Sequence, residues 1–462
     1  MHQMRLLKDA AAASKEGAVL TAATLFKEAI QEGDAAGANT LQALQQFAIE
    51  NRDASITLKA KETLEQLAKD LAGFPETKES DHTIAMLLYL AGNLRLSADF
   101  FHKAAMLDPS DARDRYFHLY VLLELNDVSS AMAAFEDTPT DFQSSSKVRA
   151  FVALLRQKGY VAEAKAVCQS IAQICAGEAG AWAFTKLGEM EEDAGDLQAA
   201  ELRYDEALQA CPDYGYGLFR LGCVQEKKGK YAEAMDLYQR SIASDKSLWE
   251  PLVRIGWLHV EPDEDYRTAI TYYVKAYNMS RDMEILDAIA SCYAGLDEYD
   301  HAVQIYGCLH NRFSGTSHSW ECCGMCLLEL GRHEEAVSAL LKALDLDPNN
   351  VGALDWLSDC YWETEQYEKV VETLRRYLQL AAPRPDILTS LGYAVFKCGD
   401  IEAAQKYYGQ AIDMKVEEIP VRRAYAEFLS ESGDLDGLAT QLAIIKNLDP
   451  ATYQLLSKDL KR

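Results

Sequence analysis

One small residue returns every 34 positions through more than half of this 462-residue chain. Gly188, Gly222, Gly256, Ala290, Gly324, Ser358, Gly392 and Ala426 form the series. A second series trails it at Ala200, Ala234, Ala269, Ala302, Ala336, Val370, Ala404 and Leu438, with one extra residue beside Pro262 that the next connection gives back. A third follows four residues later at Tyr204, Tyr238, Tyr273, Tyr306, Leu340, Leu374, Tyr408 and Leu442. Numbering each unit from Ala181, these are positions 8, 20 and 24. A small residue at position 8 lets two antiparallel helices approach closely, Ala at position 20 meets a neighbouring helix, and the bulky residue at 24 fills the gap between units. A single helix pair cannot bury its apolar face alone, so pairs must stack on one another.

The unit resembles the tetratricopeptide repeat, whose 34-residue pattern is W-x2-L-G-x2-Y…A-x3-F…P. The fifth unit carries it in Trp320, Cys323 in the Leu place, Gly324, Ala336, Leu340, Ala343 and Pro348, and the first in Leu187, Gly188, Ala200, Tyr204, Ala207 and Pro212. The initial Trp is usually replaced, and only Pro212, Pro348 and Pro450 close units. The resemblance implies an all-α solenoid of about eleven helix-turn-helix hairpins wound as a right-handed superhelix.

Four segments are expected along the chain. Residues 1–76 hold divergent repeats: Ala10, Gly17, Ala22, Phe26 and Ala29 reproduce positions 8, 15, 20, 24 and 27, while residues 41–72 read as two helices out of phase. A linker at Gly73-Phe-Pro-Glu-Thr-Lys-Glu-Ser-Asp leads into the irregular repeats of 77–180. There Ala85, Gly92, Ser97, Phe101, Ala104 and Pro109 mark one unit, Leu119, Ala131 and Phe135 the next before a turn-rich stretch at Thr138–Ser146, and Gly159, Ala164 and Cys168 a third. Eight regular repeats fill 181–450, and 451–462 read as a capping helix with a polar outer face.

Charge narrows the partners. A net charge of −26 disfavours nucleic acid, which is held by Lys and Arg neutralising phosphates, and disfavours an anionic membrane surface. No stretch approaches the 18 or more apolar residues of a membrane span, and Lys15 with Glu16 interrupts Ala10–Ala13 far short of a secretory signal. Eleven cysteines without such a signal suit a reducing cytoplasm.

Cys308, His310, His318, Cys322, Cys323 and Cys326 crowd together in the sequence and offer soft ligands of the kind zinc takes. The repeat phase favours packing instead: Cys292, Cys326 and Cys360 share position 10, where each serves as a small core hydrophobe. No metal and no cofactor is therefore expected. No nucleophile elbow, HExxH, P-loop or Rossmann glycine pattern occurs, and Gly215–Gly217 reads as a turn at a repeat junction, so no catalysis is expected.

In the family that this chain resembles, positions 2, 5, 9, 12 and 13 face a concave groove. Carried over residue by residue, they give Trp182 in the first unit, Tyr216, Phe219, Glu226 and Lys227 in the second, and Trp257 in the third. Met325 and Leu328 follow in the fifth, Asp355, Asp359 and Trp362 in the sixth, and Tyr393 and Phe396 in the seventh. Aromatic and Met side chains on an exposed groove suit an extended peptide or a helix. Acidic neighbours at Glu189, Glu192, Asp193, Glu250 and Glu363 would complement a basic and apolar segment. The carboxylate clamp of some co-chaperones, Lys at position 5 with Asn at position 9, is missing: the first unit has Thr185 and Glu189, the second Phe219 and Cys223. The expectation is a non-catalytic adaptor whose groove binds a protein segment, with a client-holding cytoplasmic chaperone or a regulatory subunit of a larger complex as alternatives.

Overall fold

A computed structural model describes residues 2–15, 18–32, 38–51, 56–73, 76–143, 145–261, 264–415 and 418–459. Gly17, Phe74 and Pro75 of the expected linker, Ser144 of the turn-rich stretch, Pro262 and the last three residues of the capping segment lie outside them. The described residues hold helices and turns and no strand. They form an all-α solenoid in which each helix packs on its near neighbours in sequence.

The packing divides the chain at Asp245. The first part, Met1–Asp245, runs through seven successive pairs, from His2–Lys15 with Val19–Glu32 to Gly215–Lys227 with Tyr231–Ser244. The second, Lys246–Arg462, has six, from Glu250–Val260 with Tyr266–Ser280 to Glu418–Ser432 with Leu435–Leu448, and then the helix Pro450–Asp459. Thirteen pairs thus stand among the described residues where about eleven were expected.

Residues 41–72 explain their own lack of phase. The helix Ala38–Glu50 packs on His2–Lys15 and Lys78–Ala91, and Leu58–Ala72 packs on Val19–Glu32 and Lys78–Ala91. Each leans on flanking pairs more than on the other, so the tight position 8 to position 24 contact is not required there. Asn51 is buried and donates to Ser14 Oγ at 2.9 Å and Phe47 O at 2.9 Å, a polar tie in place of the small-residue packing.

In the regular repeats the three series meet inside each pair. A Cβ added at Gly222 would lie 2.5 Å from the Tyr238 ring, and one at Gly324 would lie 2.6 Å from Leu340 Cγ. Glycine at position 8 therefore makes room for the bulky residue at 24 of the same pair, and that residue is sealed: Tyr204, Tyr238, Tyr306, Leu340 and Leu374 have no exposed surface. The last repeat is looser. Leu438 and Leu442 are only partly buried, since little beyond Pro450–Asp459 covers them.

Position 15 closes the first helix with a left-handed residue, which only glycine adopts without steric cost. Gly195, Gly229, Gly331, Gly399 and Gly433 occupy it with φ of +70° to +94°. Asp297 and Glu365 hold the same place at φ 58° and 55°, as does Glu264 at 52° after the inserted residue. The second helix then starts at once: Asp196, Asp400 and Asp434 accept from the amides of Ala199, Ala403 and Gly437 at 2.9, 3.0 and 2.9 Å. This N-cap satisfies an amide that the helix itself leaves unpaired.

Candidate functional site

The face built by the first helices differs sharply between the two parts. In repeats one and two, within Met1–Asp245, its charges are spent on one another. Glu189 accepts from Lys186 Nζ at 2.7 Å, Arg156 Nη1 at 3.0 Å and Tyr216 Oη at 2.9 Å. Asp193 accepts from Arg156 Nη2 at 2.8 Å. Glu192 takes Tyr204 Oη and Arg220 Nη2, each at 2.5 Å, and Lys227 Nζ at 2.8 Å. Burial pushes both glutamates up, yet these donors outweigh it and hold them below the usual carboxylate range. Glu226 repeats the device one unit later by accepting from Tyr238 Oη at 2.7 Å. Position 12 thus caps the hydroxyl of the sealed tyrosine at position 24, because a buried phenol needs a partner.

The rings of these repeats are not the exposed anchors that their positions implied. Trp182 is 7% and Phe219 8% exposed. Arg149 lies over the Trp182 indole at 5.4 Å, and Trp182 belongs to the core of this part. Phe219 packs between Tyr216 and Tyr238, with ring centroids 6.0 Å from each. Tyr216 itself is half-buried under Lys186 Nζ at 5.1 Å. Glu226 is 7% exposed, so it too belongs to the interior.

In Lys246–Arg462 the expected apolar groove residues sit at positions 9 and 12 and keep part of their surface. Trp257 is half-buried with Arg254 over its ring at 5.3 Å. Met325 and Leu328 are half-buried at the edge of the core. Trp362, Tyr393 and Phe396 form a continuous aromatic surface: Trp362–Tyr393 centroids are 5.2 Å apart and Tyr393–Phe396 6.2 Å, and Phe396 meets buried Phe428 edge-on at 5.0 Å. All three remain half-buried.

Acidic groups line the same face. Asp355 accepts from Arg384 Nη1 at 3.0 Å, and Arg384 also holds Asp386. Asp359 and Glu363 are exposed and make no hydrogen bond or ion pair among the described residues. Partial desolvation, with the charges of Asp355, Glu363 and Asp386, pushes Asp359 up to about 6. Burial likewise raises Asp355 and Asp287, and one buried carboxylate oxygen of Asp287 has no hydrogen-bond partner. Glu250, expected on the acidic face, also has a buried oxygen without one. Among the described residues Asp359 and Glu363 lack the cations that neutralise Glu189 and Glu192.

Between repeats six, seven and eight the face opens into a pocket of about 410 Å³. Trp362 and Tyr393 line it, together with Tyr367, Thr389, Ser390, Glu427 and Glu431, which the sequence reading passed over. Glu427, Glu431 and Thr389 occupy positions 9, 13 and 5 and were within reach of the positional rule. Tyr367 was not. It opens the second helix of its pair, and only folding brings its ring within 6.0 Å of Trp362.

The cysteine–histidine cluster is dispersed. Cys323 and Cys326 are core residues, as are Cys292 and Cys360, while Cys308 is exposed. His310 stacks on Trp320 at 3.5 Å, and His318 sits beside Cys322 at 3.6 Å. Among the described residues no three His, Cys, Asp or Glu groups are arranged to hold a metal ion.

Family models of the tetratricopeptide repeat match residues 185–247, 327–391 and 385–415. The chain carries tetratricopeptide repeats. Among curated proteins it is similar to Superkiller complex protein 3 of Mus musculus, 22% identical over 262 residues that cover 55% of this chain and 16% of that protein. It is also similar to a BBSome complex member BBS4 homolog of Drosophila melanogaster, 24% identical over 187 residues covering 40% and 38%. The chain thus spans well under half the length of either relative. Solved structures similar to it include YrrB, described as a tetratricopeptide repeat protein with an unusual peptide-binding site, at 21% identity and TM-score 0.34, covering 38% of this chain and 90% of that one. Another is a tetratricopeptide repeat protein from Parabacteroides merdae, at 17% identity and TM-score 0.39, covering 53% and 96%. Tetratricopeptide repeats mediate protein–protein interactions, and both curated relatives are named as members of complexes. No helix among the described residues is long and apolar enough to cross a membrane.

Proposed function

We propose that this tetratricopeptide repeat protein is a non-catalytic scaffold whose repeats six to eight bind a partner protein through a segment with basic and apolar side chains. The observation that carries the reading is the pairing of half-exposed Trp362, Tyr393 and Phe396 with unpartnered Asp359 and Glu363 on one face. Exposed rings beside uncompensated carboxylates raise the free energy of the unbound protein, and a basic, apolar segment relieves both. Met325 and Trp257 extend the accessible apolar surface within the same part. Trp182 and Phe219, buried in the first part, serve the interior. The scaffold works in a reducing cytoplasm, which suits eleven thiols, none of them in a disulfide.

The names of the curated relatives favour a second element of the reading, that the partner belongs to a stable multiprotein assembly. The test is an affinity pull-down from the native cell with wild-type protein and with Trp362→Ala and Trp257→Ala. Wild type is expected to retain a partner that Trp362→Ala releases, with binding that weakens as salt rises. Retention of every partner by both folded variants would move the interaction to another surface.

A further inference from the structure

The pocket between repeats six, seven and eight has the chemistry of a cation receptor. We infer that it takes an arginine side chain from the partner segment, an assignment that rests on the proposed protein-binding face and adds to it a specific anchor. Three rings set its walls at different angles: Trp362 and Tyr367 stand at 90°, Tyr367 and Tyr393 at 71°, and Trp362 and Tyr393 at 42°. Their centroids lie 5.2 to 6.2 Å apart, so the rings touch and together line one side of a space of about 410 Å³. Glu427 and Glu431 supply carboxylates at the same pocket. Faces of aromatic rings attract a cation, and carboxylates beside them fix its position.

The molecule already places one positive charge here. Lys397 Nζ lies 4.7 Å above the Tyr393 ring and bonds Glu431 at 2.6 Å. Its bonds to Glu431 and Tyr393 hold the ammonium above the ordinary lysine range, so this surroundings stabilises positive charge. Among the described residues no cation covers Trp362 or Tyr367. Glu427 pairs with Arg423, one helical turn away and exposed, an interaction weak enough to exchange. Asp359 and Glu363, on the helix that carries Trp362, add negative charge and form no ion pair among the described residues. Arginine fits better than lysine, since a planar guanidinium stacks on a ring while its edge donates to a carboxylate, whereas an ammonium offers a strongly hydrated point charge.

The experiment uses the full chain and three labelled peptides of alternating Leu with Arg, Lys or Gln, followed by fluorescence anisotropy. The Arg peptide is expected to bind at least about tenfold more tightly than the Lys peptide, and the Gln peptide more weakly than both. Tyr367→Ala and the conservative Glu427→Gln/Glu431→Gln double variant should each remove the preference for Arg over Lys while keeping the helical circular dichroism and thermal midpoint of wild type. Equal binding of Arg and Lys peptides by wild type, or an unchanged preference in both variants, overturns the arginine pocket. If that happens while Trp362→Ala still releases the native partner, the protein-binding face stands and only the anchor is wrong. If Trp362→Ala also keeps the partner, both readings fall.

Discussion

Repeats one and two and repeats six and seven share a length, a helix pair and a sealed core residue at position 24, yet their first-helix faces have opposite characters. Position 12 is Glu192 and Glu226 in the former, each bonded to the tyrosine of its own pair. In the latter it is Trp362 and Phe396, and the residues at 24 are Leu374, which has no hydroxyl to satisfy, and Tyr408. Position 9 is Glu189, neutralised by Lys186 and Arg156, against Asp359, which has no ion-pair partner among the described residues. Stacking fixes what lies between the helices and leaves this face free to vary. One end uses it to tie repeats together, and the other leaves rings and carboxylates accessible.

The sharpest check is that the two regions should not differ in their cores. Tyr238→Ala and Tyr408→Ala, at 0% and 1% exposure, are each expected to cost about 3–5 kcal/mol in denaturant unfolding. A loss confined to one of them would break the premise of a common packing unit. The tryptophans come next and should separate the regions. Trp182→Ala is expected to cost about 3 kcal/mol, and Trp362→Ala, half-exposed, about 1 kcal/mol. Equal losses in the same unfolding experiment would mean that Trp362 is core.

The acids should separate in both sign and pH dependence. Removing Glu192 strands Arg220 and is expected to cost about 2 kcal/mol at neutral pH. Because its folded-state pKa is lowered, that contribution is present above about pH 4.5 and disappears as the pH falls below it. Asp359 runs the other way. Its carboxyl is raised from 3.8 to about 6, so the folded chain binds the extra proton and stability declines as pH rises between those values. Asp359→Asn should therefore raise the melting temperature at pH 7.5 and leave it unchanged at pH 3.5. A drop at pH 7.5 would show that Asp359 has a cationic partner after all. The smallest expected effect is Glu365→Gly, which relieves a left-handed residue and should add about 0.5–1 kcal/mol, seen as a small rise in denaturant midpoint.

The spacing of Gly188, Ala200 and Tyr204 and their successors was enough to determine the helix pairs and their stacking. Position 8 and position 24 touch within a pair, and a contact that local geometry repeats must leave a periodic trace in the chain. The same phase placed Cys292, Cys326 and Cys360 in the interior. The two helices of residues 41–72 left no such trace, because they lean on flanking pairs instead. Exposure of the first-helix face was a matter for the tertiary structure. Whether Trp182 or Trp362 sees solvent depends on what the preceding and following helices present to it, and Arg149 covers one while, among the described residues, no cation covers the other. Tyr367 entered the pocket for the same reason: a residue on the second helix reaches that face only through the angle at which two helices cross, a quantity set by packing along the whole interface and written at no single position.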